Sequence, residues 1–221
     1  YRNFGPRFGF AYDPSGDGKM SIRGGFGVFY DLMRTDSLGS TSSNPPFTAS
    51  ASVFDGNIDA PAGGTMRAAS AGNLNFTSTS MNQPLTYSFN LNVQRELFSR
   101  VILDVGYVGT MGRRLTRTWN LNQLPAGSRL SGANVKTNVN ALRPYLGYAN
   151  LNWQENGDTS HYDSLQVAVS RRISGGLQIS AIYTWSKTMD SSGGSFQDIY
   201  NPRADIGLSS IHRAHVANIA F

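Results

Sequence analysis

The chain has 221 residues, 39% hydrophobic, 11% aromatic and only 15% charged, with a net charge of +5. An ordinary soluble domain carries about 25% charged residues; here Ser, Thr, Asn and Gly fill that share, a composition that favours strands and turns over helices. No run approaches the roughly 18 apolar residues of a membrane helix, cysteine is absent, which excludes disulfides and thiolate chemistry, and the Lys and Arg residues form no block suited to nucleic acid.

Period-two alternation of apolar residues marks the one-sided strands. The first runs from about Phe4 to Tyr12, with Phe4, Phe8, Phe10 and Tyr12 on one face and Arg7, Gly9 and Ala11 on the other. Ser15-Gly16-Asp17-Gly18 predicts a tight turn, because these residues tolerate positive φ. A second strand, Lys19 to Asp31, sets Met20, Ile22, Phe26, Val28 and Tyr30 against Arg23, Gly25 and Gly27. A long connection without sustained periodicity then extends from Leu32 to Pro84. The third strand alternates most cleanly, with Leu85, Tyr87, Phe89, Leu91 and Val93 opposing Thr86, Ser88, Asn90, Asn92 and Gln94. Phe98-Ser99-Arg100 reverses the chain into a fourth strand, with Val101, Leu103, Val105 and Tyr107 in phase. A second long connection is expected from about Gly112 to Ser160. The fifth strand, His161 to Ile173, carries Leu165, Val167 and Val169 on one face, and Ser174-Gly175-Gly176 turns it back. The sixth places Leu177, Ile179, Ala181, Tyr183 and Trp185 together. A third loop covers about Met189 to Ser210, and a last strand has Ala217, Ile219 and Phe221 in phase.

The connections therefore alternate short and long. A soluble β-domain has no reason to sort its loops by parity, whereas outer-membrane barrels place short turns in the periplasm and long loops outside. A mean hydropathy of -0.30 suits strands with one lipid face and one wet face. The expected fold is all-β, an antiparallel transmembrane β-barrel segment of about seven strands filling residues 1–221, with long outer loops near 32–84, 112–160 and 189–210. Tyr30, Tyr107, Tyr183 and Trp185 are candidates for an aromatic girdle. Arg7, Arg23, Arg95, Asp104, Gln94, Gln166 and Gln178 are expected to face the lumen, where they form a polar wall and where a charge escapes the cost of lipid. Trp119, Tyr145, Tyr148 and Trp153, in the expected outer loops, are candidate ligand contacts or packing for a loop cap.

Motifs that carry chemistry weigh little. His212 and His215 are three apart, and on a strand they point to opposite faces, so they make a poor metal pair. His161 opens a strand beside an outer loop and reads as solvated. Asp13, Ser15 and Asp17 resemble a calcium loop, but Lys19 follows and the bidentate Glu is absent, so a hairpin turn fits better. Gly24-Gly25-Phe26-Gly27 lies inside a strand and opens no helix, so its glycines read as close strand contacts, not as a phosphate cradle. No GxSxG elbow occurs, and Glu155 and Asp158 lie in a stretch without a supporting pattern. No catalytic residue, metal site or cofactor is expected.

The segments Asn3–Pro14, Ile22–Asp31, Asn92–Leu97, Tyr107–Leu115, Asn122–Pro125, Tyr162–Gln166, Tyr183–Asp190 and His212–Arg213, in that order, resemble the barrel of TonB-dependent outer-membrane receptors. The closest branch bears an N-terminal carboxypeptidase-regulatory-like domain. The resemblance implies a bacterial outer-membrane location and contact with outer-membrane lipid. It also implies TonB-coupled uptake of a scarce nutrient, with the TonB-ExbB-ExbD complex acting through a plug, and no nucleic-acid partner. Barrels of that family have about twenty-two strands; the chain then reads as a fragment, without signal peptide, plug or TonB box, expected not to seal into a barrel alone. The family's transport residues lie mainly on plug and outer loops, so none transfers to a named position. Two other readings stand beside it: an outer-membrane adhesin or structural barrel without transport, and a soluble β-sandwich binding module.

Overall fold

A computed structural model describes residues 3–32, 39–46, 53–54, 58–59, 65–66, 72–130, 132–172, 178–191 and 196–221. Seven principal strands follow one another: β1 (Arg7–Tyr12), β2 (Met20–Tyr30), β6 (Leu85–Glu96), β7 (Val101–Asn120), β8 (Tyr148–Arg172), β9 (Gln178–Asp190) and β11 (His215–Ala220). Short strands β3 (Val53–Phe54), β4 (Thr65–Met66), β5 (Gly72–Thr77) and β10 (Gly207–Leu208) lie within the long connections. The principal strands pair antiparallel, each with its neighbour in sequence, and the sheet is open, with no β1–β11 pairing among the described residues. Among the described residues no second layer covers it. Among the described residues only Val28, Leu85, Leu151 and Phe196 are buried hydrophobic residues, while Phe8 is 68% exposed and Trp185 57%. A soluble sandwich would bury such rings against a facing sheet; here they make a surface suited to lipid.

Register keeps the two faces distinct. Phe26 faces Phe89, Leu91 faces Tyr107, Tyr107 faces Leu165, and Leu165 faces Trp185, which builds one apolar face across five strands. On the other face Arg23 faces Asn92, Gln94 faces Asp104, and Gln166 faces Thr184. Glycines let aromatic rings lie flat on the apolar face. A Cβ on Gly24 would fall 2.4 Å from Phe10, and one on Gly109 would fall 2.3 Å from Phe89, so these positions are reserved for the ring opposite, as close strand contact requires.

The β1–β2 turn is built around Asp13. Its carboxylate accepts the N–H groups of Ser15, Gly16 and Gly18 at 3.1, 3.0 and 2.8 Å. The Gly18 bond above all holds the carboxyl below its ordinary range, against a smaller opposing desolvation. Gly16 and Gly18 take φ of 68° and 71°, a region that L side chains rarely enter. The Ser174-Gly175-Gly176 turn and Leu177 lie outside the described residues.

The loop boundaries near 112–160 need correction. β7 continues to Asn120 and β8 begins at Tyr148, so the connection is 121–147 and the two strands rise together as a long outward hairpin. Alternation failed to reveal this because Arg114, at φ 56°, and Gly157 each drop out of the ladder. One extra residue flips the phase of everything beyond it. Leu115 accordingly turns to the polar side, where its methyl lies 2.9 Å from the place a Gly112 Cβ would occupy. The loop near 189–210 begins two residues later than expected, at 191, since β9 runs to Asp190, and Gly207–Leu208 pairs back onto Met189–Asp190. Within 32–84, β5 pairs parallel with β8 at Tyr148–Gln154. That edge of β8 is free because β9 stops opposite Ser160.

Candidate functional site

The wall comes first. Arg7, Arg23, Gln94, Asp104, Gln166 and Gln178 all stand on the polar face, as the register requires. Arg23 donates to the side chains of Ser21 and Gln94, which ties β2 to β6, and Asn92 donates to Asp104, which ties β6 to β7. Gln166 donates to Ser164 Oγ at 3.3 Å. Arg7 instead lies over the Phe29 ring, 4.7 Å from its centroid, a cation–π contact that also covers apolar surface. Gln178 faces Arg172 at the short-turn end.

Arg95 departs from the expected set. It shares the face of Leu91 and Val93, opposite Met20 and Leu103. Adjacent residues on a strand cannot share a face, and Gln94 already holds the polar one. Arg95 sits one residue from the end of β6, where a long side chain reaches the membrane boundary.

Among the girdle candidates, Tyr107 and Trp185 flank Leu165 in one row of the apolar face. Tyr183 stands on the same face opposite Val167, with its hydroxyl 2.7 Å from His215 Nδ1. Tyr30 occupies a different row, opposite Leu85. His212 and His215 do not converge: His212 Nδ1 accepts the Thr188 N–H at 3.2 Å while His215 pairs with Tyr183.

The outward hairpin brings the chemistry together. Trp119 faces Trp153 and Arg117 faces Glu155 across β7 and β8. Glu155 Oε1 accepts Arg117 Nε at 2.9 Å, Arg117 Nη2 at 2.6 Å and the Trp119 indole N–H at 2.7 Å, and Oε2 accepts the Trp153 indole N–H at 3.3 Å. Burial opposes ionisation of Glu155, but these donors and the Arg117 charge outweigh it and hold the carboxyl below its ordinary pKa. Phe196 stacks on Trp119 at 4.7 Å between centroids, and the Arg117 guanidinium lies 4.2 Å from the Trp119 ring centre. Trp119, Leu121, Trp153, Glu155, Ile199 and Tyr200 line a cavity of about 500 Å³. Because the paired bulges turn Leu115 and the alternate residues after it to the polar side, this cavity continues the polar wall outward.

Two side chains fix the surrounding loops. Asn122, fully buried, donates to the carbonyls of Tyr145, Tyr148 and Ala149 and accepts the Tyr145 N–H, which closes the 121–147 loop at its base. Gln123 donates to the carbonyls of Phe196 and Gln197 and accepts the Ile199 N–H at 2.8 Å, which seats the third loop on the cavity. Of the four aromatic candidates, Trp119 and Trp153 therefore join the site, in strands and not in loops. Tyr145 and Tyr148 are exposed and meet it only through backbone bonds to Asn122. Sequence reasoning missed Arg117, Gln123 and Phe196. The carboxylate flanked by Trp153, and the polar pair Asn122-Gln123 before Leu124-Pro125, were the available signals.

Comparison with curated proteins returns no match. A family model described as an outer membrane beta barrel domain matches residues 1–221, the whole chain.

Proposed function

The chain belongs to the outer membrane beta barrel family and lies in the bacterial outer membrane, and from that premise we propose that it forms wall and mouth of a receptor taking up a scarce nutrient in a TonB-coupled manner. The cavity between Trp119 and Trp153 carries this reading, because it combines indole rings held by Glu155 with a direct continuation into the polar wall. Rings fixed in advance lose little entropy on binding and offer apolar faces in water. A nutrient released from them meets Arg23, Gln94 and Asp104, which hydrate and pair on the wall. Inner-membrane energy would arrive from the TonB-ExbB-ExbD complex through a plug. The work assigned to the chain is binding and passage, not catalysis, and neither a cofactor nor nucleic acid enters it.

A second reading, a surface barrel that binds or adheres without transport, draws support from the fixed outer platform made by β5, Asn122 and Gln123. Growth of the parent bacterium on a panel of limiting iron, cobalamin, peptide and oligosaccharide sources separates the two. Uptake predicts one nutrient on which deletion of the gene, loss of TonB and Trp153→Ala in the full-length protein all slow growth. Normal growth of the deletion strain on every source, with loss of surface attachment, would establish the second reading instead.

A further inference from the structure

A groove of about 490 Å³ opens on the apolar face, away from the polar wall. Tyr107, Leu165, Trp185 and Lys187 contribute from β7, β8 and β9, Leu208 from β10, and His212 from the return between β10 and β11. That return is pinned to β9, with the Ser209 N–H on Thr188 O at 3.0 Å and the Ser186 hydroxyl on Arg213 O at 2.7 Å. The groove is therefore a fixed feature of the sheet. It lies at the long-loop end, which in this family is the outer leaflet.

The polar inventory of the groove leaves the Lys187 cation over. Lys187 is exposed and faces Asp163 across the β8–β9 ladder. Asp163 is already engaged: Oδ1 accepts the Tyr107 hydroxyl and Oδ2 lies 2.5 Å from His161 Nε2. Among the described residues no carboxylate pairs with Lys187. His212, which lines the groove, accepts the Thr188 N–H at Nδ1, so in the neutral ring Nε2 is the remaining donor. An ammonium on a lipid-facing surface calls for an anion at the headgroup level. Leu165, Trp185 and Leu208 beside it give an apolar floor that a free inorganic anion does not use.

We propose that this groove binds a phosphate-bearing lipid of the outer leaflet, with the phosphate on Lys187 and His212 and an acyl chain along Leu165 and Trp185. The nutrient cavity at Trp153 is not involved, so the two readings stand or fall separately.

The test uses the full-length protein in maltoside micelles, with bound lipid counted by native mass spectrometry. The probes are dilauroyl phosphatidic acid and phosphate-free dilauroylglycerol. Lys187→Gln should lower retention of the phosphatidic acid about fivefold, the contribution of one cation near a charged headgroup, and leave dilauroylglycerol unchanged. Trp185→Ala should weaken both lipids. Arg95→Gln, on the same face at the opposite end, should change neither. Heat-modifiable gel migration verifies that each variant is folded. Equal retention by folded Lys187→Gln, an equal loss with Arg95→Gln, or displacement of the lipid by millimolar inorganic phosphate would overturn the proposal.

Discussion

Glu155 holds two indoles and a guanidinium with a single carboxylate, so its ionisation controls the shape of the outer cavity. Its folded pKa lies below the ordinary value of 4.5. The stability it contributes is therefore complete above that value and is lost as pH falls below it through the folded pKa. Tryptophan emission should shift to the red on acidification below pH 4.5, and Glu155→Gln should remove that transition; an unchanged transition in the variant would assign it to another group. Glu155→Ala should destabilise the outward hairpin by about 1–3 kcal/mol, because it strands the donors of three side chains, with the lower end favoured since Glu155 is 31% exposed. Arg95 teaches the complementary lesson. Its charge invited a place in the lumen, yet strand parity assigns it to the lipid side, where its length carries the guanidinium to the boundary.

Among the elements, β5 owes its place to a vacancy. β9 ends opposite Ser160, and β5 fills the open edge of β8 with a parallel ladder. Its own outer edge is finished by Asn44, whose amide donates to Asn75 O at 2.6 Å and accepts the Asn75 N–H at 2.8 Å. Asn44→Ala should speed amide exchange at residues 72–77 and leave β6 to β9 unchanged; faster exchange across the whole sheet would show that β5 supports the wall itself. The sequence made the membrane halves of the strands readable because lipid on one side and water on the other impose an alternation of two, clearest from Leu85 to Gln94. Above the membrane both faces meet water or loops, so Leu115 to Asn120 and Tyr148 to Thr159 carry no such signature. Pairing of Asn75 with Asn152 joins segments far apart in the chain, and no local pattern encodes it. The Trp119–Phe196 stack was hidden for the same reason.

At the scale of the molecule, one open sheet carries its lipid surface and its wet surface back to back. Absence of cysteine makes its sidedness directly measurable. In intact cells, full-length protein with Arg129→Cys should react with a membrane-impermeant maleimide, while Ser15→Cys in the β1–β2 turn should react only after lysis. Labelling of both in intact cells would reverse or refute the topology. The paired bulges at Arg114 and Gly157 have a consequence for how such a protein changes over time. Below them, every substitution must respect a strict alternation or place a charge in lipid. Above them the phase is reset, and the hairpin answers only to its own pairing and its cargo. Drift in the upper half leaves the lower half undisturbed, so new binding specificities can be tried on an unchanged anchor.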